Sequence, residues 1–105
     1  MSDPQKPEQP QQPQIQIKAD EKELQGTYSN LVMIHHNAEE FTLNFIYVFP
    51  NAAQGKLMAS MIVSPGHAKR LLRALAENVG RFESQFGPIP ETPQGAAEPK
   101  VGFVH

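Results

Sequence analysis

The sequence predicts an α+β domain: a four-stranded antiparallel sheet, arranged as a meander, followed by one long amphipathic helix packed on one face of that sheet. Large apolar residues occupy every second position from Phe41 to Phe49, which is the period of a strand. Apolar residues recur at steps of three and four from Ala68 to Phe86, which is the period of a helix. The short breaks between the apolar stretches before that helix favour antiparallel neighbours.

Four strands are predicted before the helix. The first lies in QIQIKA (14–19), where Ile15 and Ile17 alternate with polar residues. A polar connection through Gly26 leads to the second strand, from about Tyr28 to His36. The third runs from Phe41 to Phe49, where Pro50 ends it, and the fourth from Lys56 to Val63.

The predicted helix begins after Ser64 and ends at Gly87. Ser64 is a favoured N-cap residue, and Pro65 is tolerated in the first turn because its missing N–H would be unpaired there in any case. Gly87 followed by Pro88 is typical of a helix C-terminus. About 22 residues give a rod of roughly 33 Å. We expect its apolar side to pack on the aromatic row of the third strand.

Two segments flank the predicted domain (14–88). Residues 1–13 are nearly all Pro, Gln, Glu, Lys and Ser, so we expect a disordered tail that either docks into a proline-binding partner or only aids solubility. Residues 89–105 form a second flexible tail, which ends in the apolar VGFVH. That end is interpreted either as a linear motif or added strand, or as a feature without a role.

Composition limits the class of protein. A length of 105 residues suits one small domain, and nine basic against eleven acidic residues give a net charge of −2, with no strong preference for nucleic acid or anionic membranes. The chain has no cysteine, so disulfides and thiolate metal sites are excluded. The N-terminus does not look like a signal peptide, and no apolar run is long enough for a membrane span. We therefore expect a cytoplasmic protein.

The second face of the sheet predicts self-association. One helix covers one face, yet the strands carry apolar residues on both faces, including Ile46 and Val48 on the face turned away from the helix. An uncovered apolar face of this size is unusual on a monomer. We expect a homo-oligomer, a dimer or higher, with Ile46 and Val48 in its interface. The alternative is that the C-terminal tail covers this face.

No pattern of residues indicates catalysis or a cofactor. His35 and His36 are neighbours on a strand and point to opposite faces, so they cannot grip one metal ion unless the strand bulges. Ser64 and His67 resemble a nucleophile and base, but an N-cap role accounts for Ser64 and no acid partner or oxyanion-hole motif accompanies them. We expect no enzyme activity, no metal and no cofactor.

The polar side of the helix carries four basic residues, Lys69, Arg70, Arg73 and Arg81. In a nucleic-acid-binding protein such a ridge would contact phosphates. The other interpretation is a solvated face, which the interleaved Glu77 and Glu83 and the equal numbers of acidic and basic residues between positions 14 and 88 favour.

Three motifs carry a resemblance to a known family: GTYSN (26–30), EEFTLNF (39–45) and SPGHAKRLLRAL (64–75). Over roughly Gln14 to Ile89 the chain resembles a family of small prokaryotic proteins catalogued only as a domain of unknown function. Asn44 stands where the family usually has Asp, and Phe82 where Tyr is common. The resemblance therefore implies no essential carboxylate or phenol at those positions, and it carries no activity over to this chain.

These observations predict a non-catalytic, homo-oligomeric module that binds protein or peptide partners. The alternative is a module that binds single-stranded nucleic acid through the basic helix face, with Tyr28 or Tyr47 stacking on bases. The β-β-β-β-α order is similar, by architecture alone, to single-strand-binding transcription cofactors and to an export chaperone. A small enzyme or metal-binding protein is the third possibility.

Overall fold

The computed structural model describes residues 13–91 and 102–103 of the chain. In chain order these residues form α1 (Glu21–Gln25), β1 (Leu31–His36), β2 (Phe41–Val48), β3 (Gly55–Val63) and α2 (Pro65–Phe86). The fold is α+β, with three antiparallel strands followed by a long helix. The predicted N-terminal tail lies outside the described residues except for Pro13, and so does most of the predicted C-terminal tail.

The three strands form a meander in the order β1-β2-β3. In the first hairpin Leu43 lies opposite Ile34, and in the second it lies opposite Met61. The HNAEE break is a tight turn, because the Asn37 side-chain oxygen accepts bonds from the backbone N–H groups of Glu39 and Glu40 at 2.8 and 3.0 Å. The second, third and fourth predicted strands are therefore present in the predicted order.

The first predicted strand is not present among the described residues. Residues 13–20 form no strand, and Ile15 and Ile17 are 78% and 86% exposed. An alternating pattern becomes a strand only where a sheet edge supplies hydrogen-bond partners. No edge within the described chain does so, and the sheet has three strands instead of four.

The polar connection before the sheet contains a short helix that the sequence prediction missed. The Asp20 side chain accepts a bond from the Glu23 N–H at 2.7 Å, and Gly26 ends α1 with φ of 80°. Asp followed by Glu three positions later is a capping signal that precedes a helix. That signal, together with Gly26 at the far end, was sufficient to find α1.

The ends of α2 agree with the prediction. The Ser64 hydroxyl oxygen accepts a bond from the His67 N–H at 3.1 Å, Pro65 occupies the first turn, and Gly87 follows the last residue with φ of 95°. Neither helix of the described chain combines the length and the apolar composition that crossing a bilayer requires.

The predicted packing of the helix on its own sheet is wrong. No residue of α2 is buried, and the extensive contacts between elements of the described chain are those of β2 with β1 and with β3. The physical reason is the connection between β3 and α2, which is the single residue Ser64. A helix that turns back onto the sheet it leaves ordinarily needs a loop of about 2–6 residues.

Candidate interaction surface

The apolar side of α2 is open to solvent along its length. We call this side the stripe; its members are Ala68, Leu71, Leu72, Leu75, Val79, Phe82 and Phe86. Leu72, Leu75 and Phe86 are 69%, 59% and 72% exposed. Phe82 and Phe86 contact each other, with ring centroids 4.9 Å apart. The stripe is thus an apolar surface without a partner inside the described chain.

One face of the sheet has two rows of apolar residues that cross all three strands, and we call these two rows the aromatic face; the next row on the same side, His36–Phe41–Val63, contains one histidine. Residues directly opposite each other on neighbouring strands share a face. The register therefore places six residues in two adjoining rows, Ile34–Leu43–Met61 and Val32–Phe45–Ala59. Leu43 is buried, but Ile34 and Met61 on the flanking strands are more than half exposed.

The opposite face of the sheet is more polar at its centre. Asn44 lies opposite Met33 on one side and Ser60 on the other, and it is buried. The Ser60 hydroxyl donates a 2.7 Å hydrogen bond to the Asn44 side-chain oxygen. The neighbouring row is His35–Thr42–Ile62. This pattern is a poorer match for a purely apolar partner than the aromatic face is.

The prediction that Ile46 and Val48 are exposed is wrong for Ile46. Ile46 is only 4% exposed, and Val48 is half-buried. Ile46 lies on the central strand, where it is paired with Leu31 on one side and with Leu57 on the other. An isoleucine that is already buried can add little apolar area to an interface.

Asn30 extends the sheet by one residue beyond β1. Its side-chain oxygen accepts from the Val48 N–H at 2.8 Å and its side-chain amide donates to the Val48 carbonyl at 3.1 Å. Its backbone N–H donates to the Ile46 carbonyl at 3.1 Å. Asn30 is the last residue of the GTYSN motif, so the structure gives this asparagine a role in the sheet.

An exposed aromatic cluster lies beside Asn30. Tyr28 contacts Tyr47 edge-on at a centroid distance of 5.9 Å, and Tyr47 contacts Phe49 at 5.5 Å. Tyr28 is 73% exposed, so its ring is available to a partner.

The basic residues singled out from the sequence all lie exposed on α2: Lys69, Arg70, Arg73 and Arg81. At about 100° of rotation per residue, they lie on the side of the helix away from the stripe. Glu77 lies among them and is also exposed. One helix thus carries an apolar side and a mixed-charge side with a basic excess.

The residues considered for chemistry are separated. His35 and His36 lie opposite Thr42 and Phe41 respectively and so belong to different faces, and the His36 ring stacks on Phe41 at 5.1 Å. Within residues 13–91 and 102–103, no three His, Asp or Glu side chains come together as a metal site. Ser64 serves as the N-cap of α2, the role predicted for it.

Comparison with known proteins gives a family and no function. No curated protein and no solved structure is significantly similar to the chain. A family described as proteins of unknown function, DUF3467, matches residues 1–91, which include all three motifs and every element of the fold. The chain therefore belongs to this family of proteins of unknown function.

Proposed function

We propose that the protein is a non-catalytic, homo-oligomeric binding module that acts on protein or peptide partners. The observation that supports its homo-oligomeric part is that the described chain leaves both the stripe of α2 and much of the aromatic face open. Only three described residues are buried, namely Leu43, Asn44 and Ile46, and all three lie on β2. A three-stranded sheet becomes independently stable when an apolar face is covered, and residues 13–91 and 102–103 leave the faces of this sheet without a covering helix.

The exposed area on the helix favours self-association energetically. The exposed fractions of the six large stripe residues add up to about three whole side chains. Complete burial of one such side chain contributes about 1.5–3 kcal/mol, so covering the stripe contributes roughly 5–9 kcal/mol per chain. The aromatic face adds to this gain. The sum is large enough to offset the cost of joining two chains.

We also propose that the alternating segment 14–19 becomes a fourth strand in the assembly. Its two isoleucines are exposed, and β1 and β3 are both edge strands of the described sheet. An extended segment gains backbone hydrogen bonds when it pairs with such an edge.

Light scattering behind a sizing column tests the oligomeric part of the proposal. We expect a mass of at least twice the 11.7 kDa of one chain. Leu75→Asp puts a charge in the stripe and lowers the mass. Ala74→Asp puts the same charge one residue away on the polar side, and we expect it to keep the wild-type mass. A wild-type mass near 11.7 kDa contradicts the proposal.

Fluorescence anisotropy tests the choice of partner. We expect a labelled, reduced and alkylated polypeptide to bind, with an affinity that changes little with salt because the contacts are apolar. Labelled single-stranded DNA and RNA of matched length are the comparison probes. Absence of polypeptide binding at any salt concentration contradicts the proposed partner class.

The second candidate function is binding of single-stranded nucleic acid. It is favoured by the exposed Tyr28 ring and by the basic side of α2. In this case the oligonucleotides bind, and their affinity falls steeply with salt as counterions are released. Arg73→Gln should then weaken the binding of the oligonucleotides and reduce its dependence on salt. Binding of the polypeptide should change neither with this substitution nor with the salt concentration.

A further inference from the structure

We infer that two copies of this chain exchange helices, so that the stripe of α2 in each copy packs on the aromatic face of its partner. The inference rests on the self-association proposed above, and it names the occupant of each open surface. It makes the protein a reciprocal dimer in which neither copy has a complete core alone.

The helix α2 cannot reach the sheet of its own chain. Ser64 is the only residue between β3 and α2, and its backbone is extended, with φ of −69° and ψ of 158°. The Ser64 carbonyl accepts from the Ala68 N–H at 2.9 Å and its hydroxyl accepts from the His67 N–H at 3.1 Å. The connection therefore has no slack, and α2 leaves its sheet with the stripe exposed. A second copy can supply the missing surface without a change in this connection.

The aromatic face matches the stripe in chemistry. The rows Ile34–Leu43–Met61 and Val32–Phe45–Ala59 are wholly apolar, like the stripe. The opposite face has the Asn44–Ser60 hydrogen bond at its centre. From Ala68 to Phe86 the stripe extends about 27 Å, which is enough to cover both rows of the aromatic face.

Reciprocal exchange also closes the assembly. Each copy has one stripe and one aromatic face, so two copies satisfy both surfaces through a two-fold axis. A one-way arrangement would leave one stripe and one aromatic face open at the ends and continue to add chains. In the closed pair the basic side of α2, which carries Arg73, faces away from the sheet.

Disulfide trapping between two differently tagged, co-expressed chains tests the exchange. The natural chain has no cysteine, so each introduced thiol is unique. One chain carries Leu72→Cys, Leu75→Cys or Val79→Cys, and the other carries Ile34→Cys or Met61→Cys. Because a disulfide forms only where Cα atoms lie within about 7 Å, the scan covers neighbouring contacts. We expect at least one pairing to give a mixed disulfide under mild oxidation.

Two matched control positions make the result specific. Ile62→Cys is next to Met61, is 62% exposed and lies on the opposite face. Ala74→Cys lies on the polar side of α2. Because trapping is position-specific, we expect mixed disulfide from the aromatic-face pairing to exceed that from either control by roughly tenfold. Light scattering checks that each cysteine variant keeps the wild-type mass.

Five results overturn the exchange. Preferred trapping by Ile62→Cys places α2 on the wrong face, and trapping between two Leu75→Cys chains indicates helix-to-helix packing. A chain that carries both Ile34→Cys and Leu75→Cys and forms only an internal bond shows that α2 covers its own sheet. No mixed disulfide from any pairing, with the mass still dimeric, also overturns the exchange but leaves the proposed self-association intact. A monomeric wild-type mass overturns both the helix exchange and the proposed self-association.

Discussion

At the scale of the residue, several side chains have structural roles that depend on identity. Asn30 pairs with both backbone groups of Val48, and Ser60 satisfies the buried oxygen of Asn44. Gly55 lies where a Cβ would meet the Tyr47 carbonyl oxygen at 3.0 Å and the Ile46 side chain at 3.3 Å. Two of these positions, Asn30 and Asn44, fall in the motifs that carry the family resemblance.

Asn30→Ala should lower the free energy of unfolding by about 1 kcal/mol, because it leaves the N–H and the carbonyl of Val48 without their side-chain partners. Denaturant titration at one fixed chain concentration measures the change. Asn30→Asp keeps the acceptor for the Val48 N–H but loses the donor, so an intermediate loss is expected. Equal stability of wild type and Asn30→Ala would contradict the role of this side chain.

Gly55→Val should cost about 1–3 kcal/mol, because the nearest obstacle is a backbone oxygen that cannot move aside without disturbing the β2–β3 pairing. Gly80 provides a control, since a Cβ at this helical position meets nothing within 4 Å. Gly80→Ala should raise stability by about 0.5–1 kcal/mol. If both variants shift the unfolding midpoint in the same direction, the steric explanation fails.

At the scale of the element, α2 is well defined at its ends and unsupported along its side. Ser64 caps the N-terminus of α2, and Gly87 follows its last residue. The Gly87 N–H donates to the Glu83 carbonyl at 2.9 Å. The described chain provides no surface that buries the helix. Its local signals set where it lies in the sequence, and its packing depends on a second chain in our proposal.

Ser64→Ala should destabilise the protein by about 1 kcal/mol, because the His67 N–H loses its side-chain acceptor. Ser64→Asp retains an acceptor at this position and should restore most of the stability. Hydrogen exchange of the first-turn amides is the more specific measurement, since the loss of protection against exchange should be largest at the His67 amide. If the first-turn amides of α2 exchange at the same rates in wild type and in Ser64→Ala, the cap has no stabilising role.

At the scale of the whole molecule, the sheet and the helix each present apolar surface and neither covers the other. Folding and association should therefore be one coupled event. The melting temperature of such a protein rises with concentration by mass action. This behaviour separates an obligate dimer from a monomer that merely associates weakly.

Dilution from about 100 to about 1 μM should lower the melting temperature by roughly 5–10 °C, as expected for a dimer with an unfolding enthalpy set by two chains of this size. Circular dichroism in cells of matched optical path measures it. Leu75→Asp should lose the cooperative melting transition together with the dimer mass, because folding and association are coupled. A wild-type melting temperature that is independent of concentration would contradict coupled folding and association.

Much of the fold is local and could be predicted from the sequence by itself. The alternation at Phe41–Val48, the period of α2, and the residues at its ends report conformations that depend on near neighbours in the chain. Prediction failed where the conformation or the burial of a residue depends on a partner that is distant in the sequence or absent from it. The alternation at 14–19 specifies a face but no edge to pair with, and Ile46 looked exposed until the register placed Leu31 and Leu57 beside it.

The sequence by itself determined the α+β class, the last three predicted strands, the long helix and the family, because periodicity and capping are properties of consecutive residues. Only the tertiary structure decided that the helix does not lie on its own sheet. The apolar stripe and the aromatic face are complementary in pattern, but Ser64 alone links β3 to α2 and gives the helix no room to fold back. The period of the apolar residues indicates which side of an element is suited to burial. The length and geometry of the connection determine whether the same chain can bury that side.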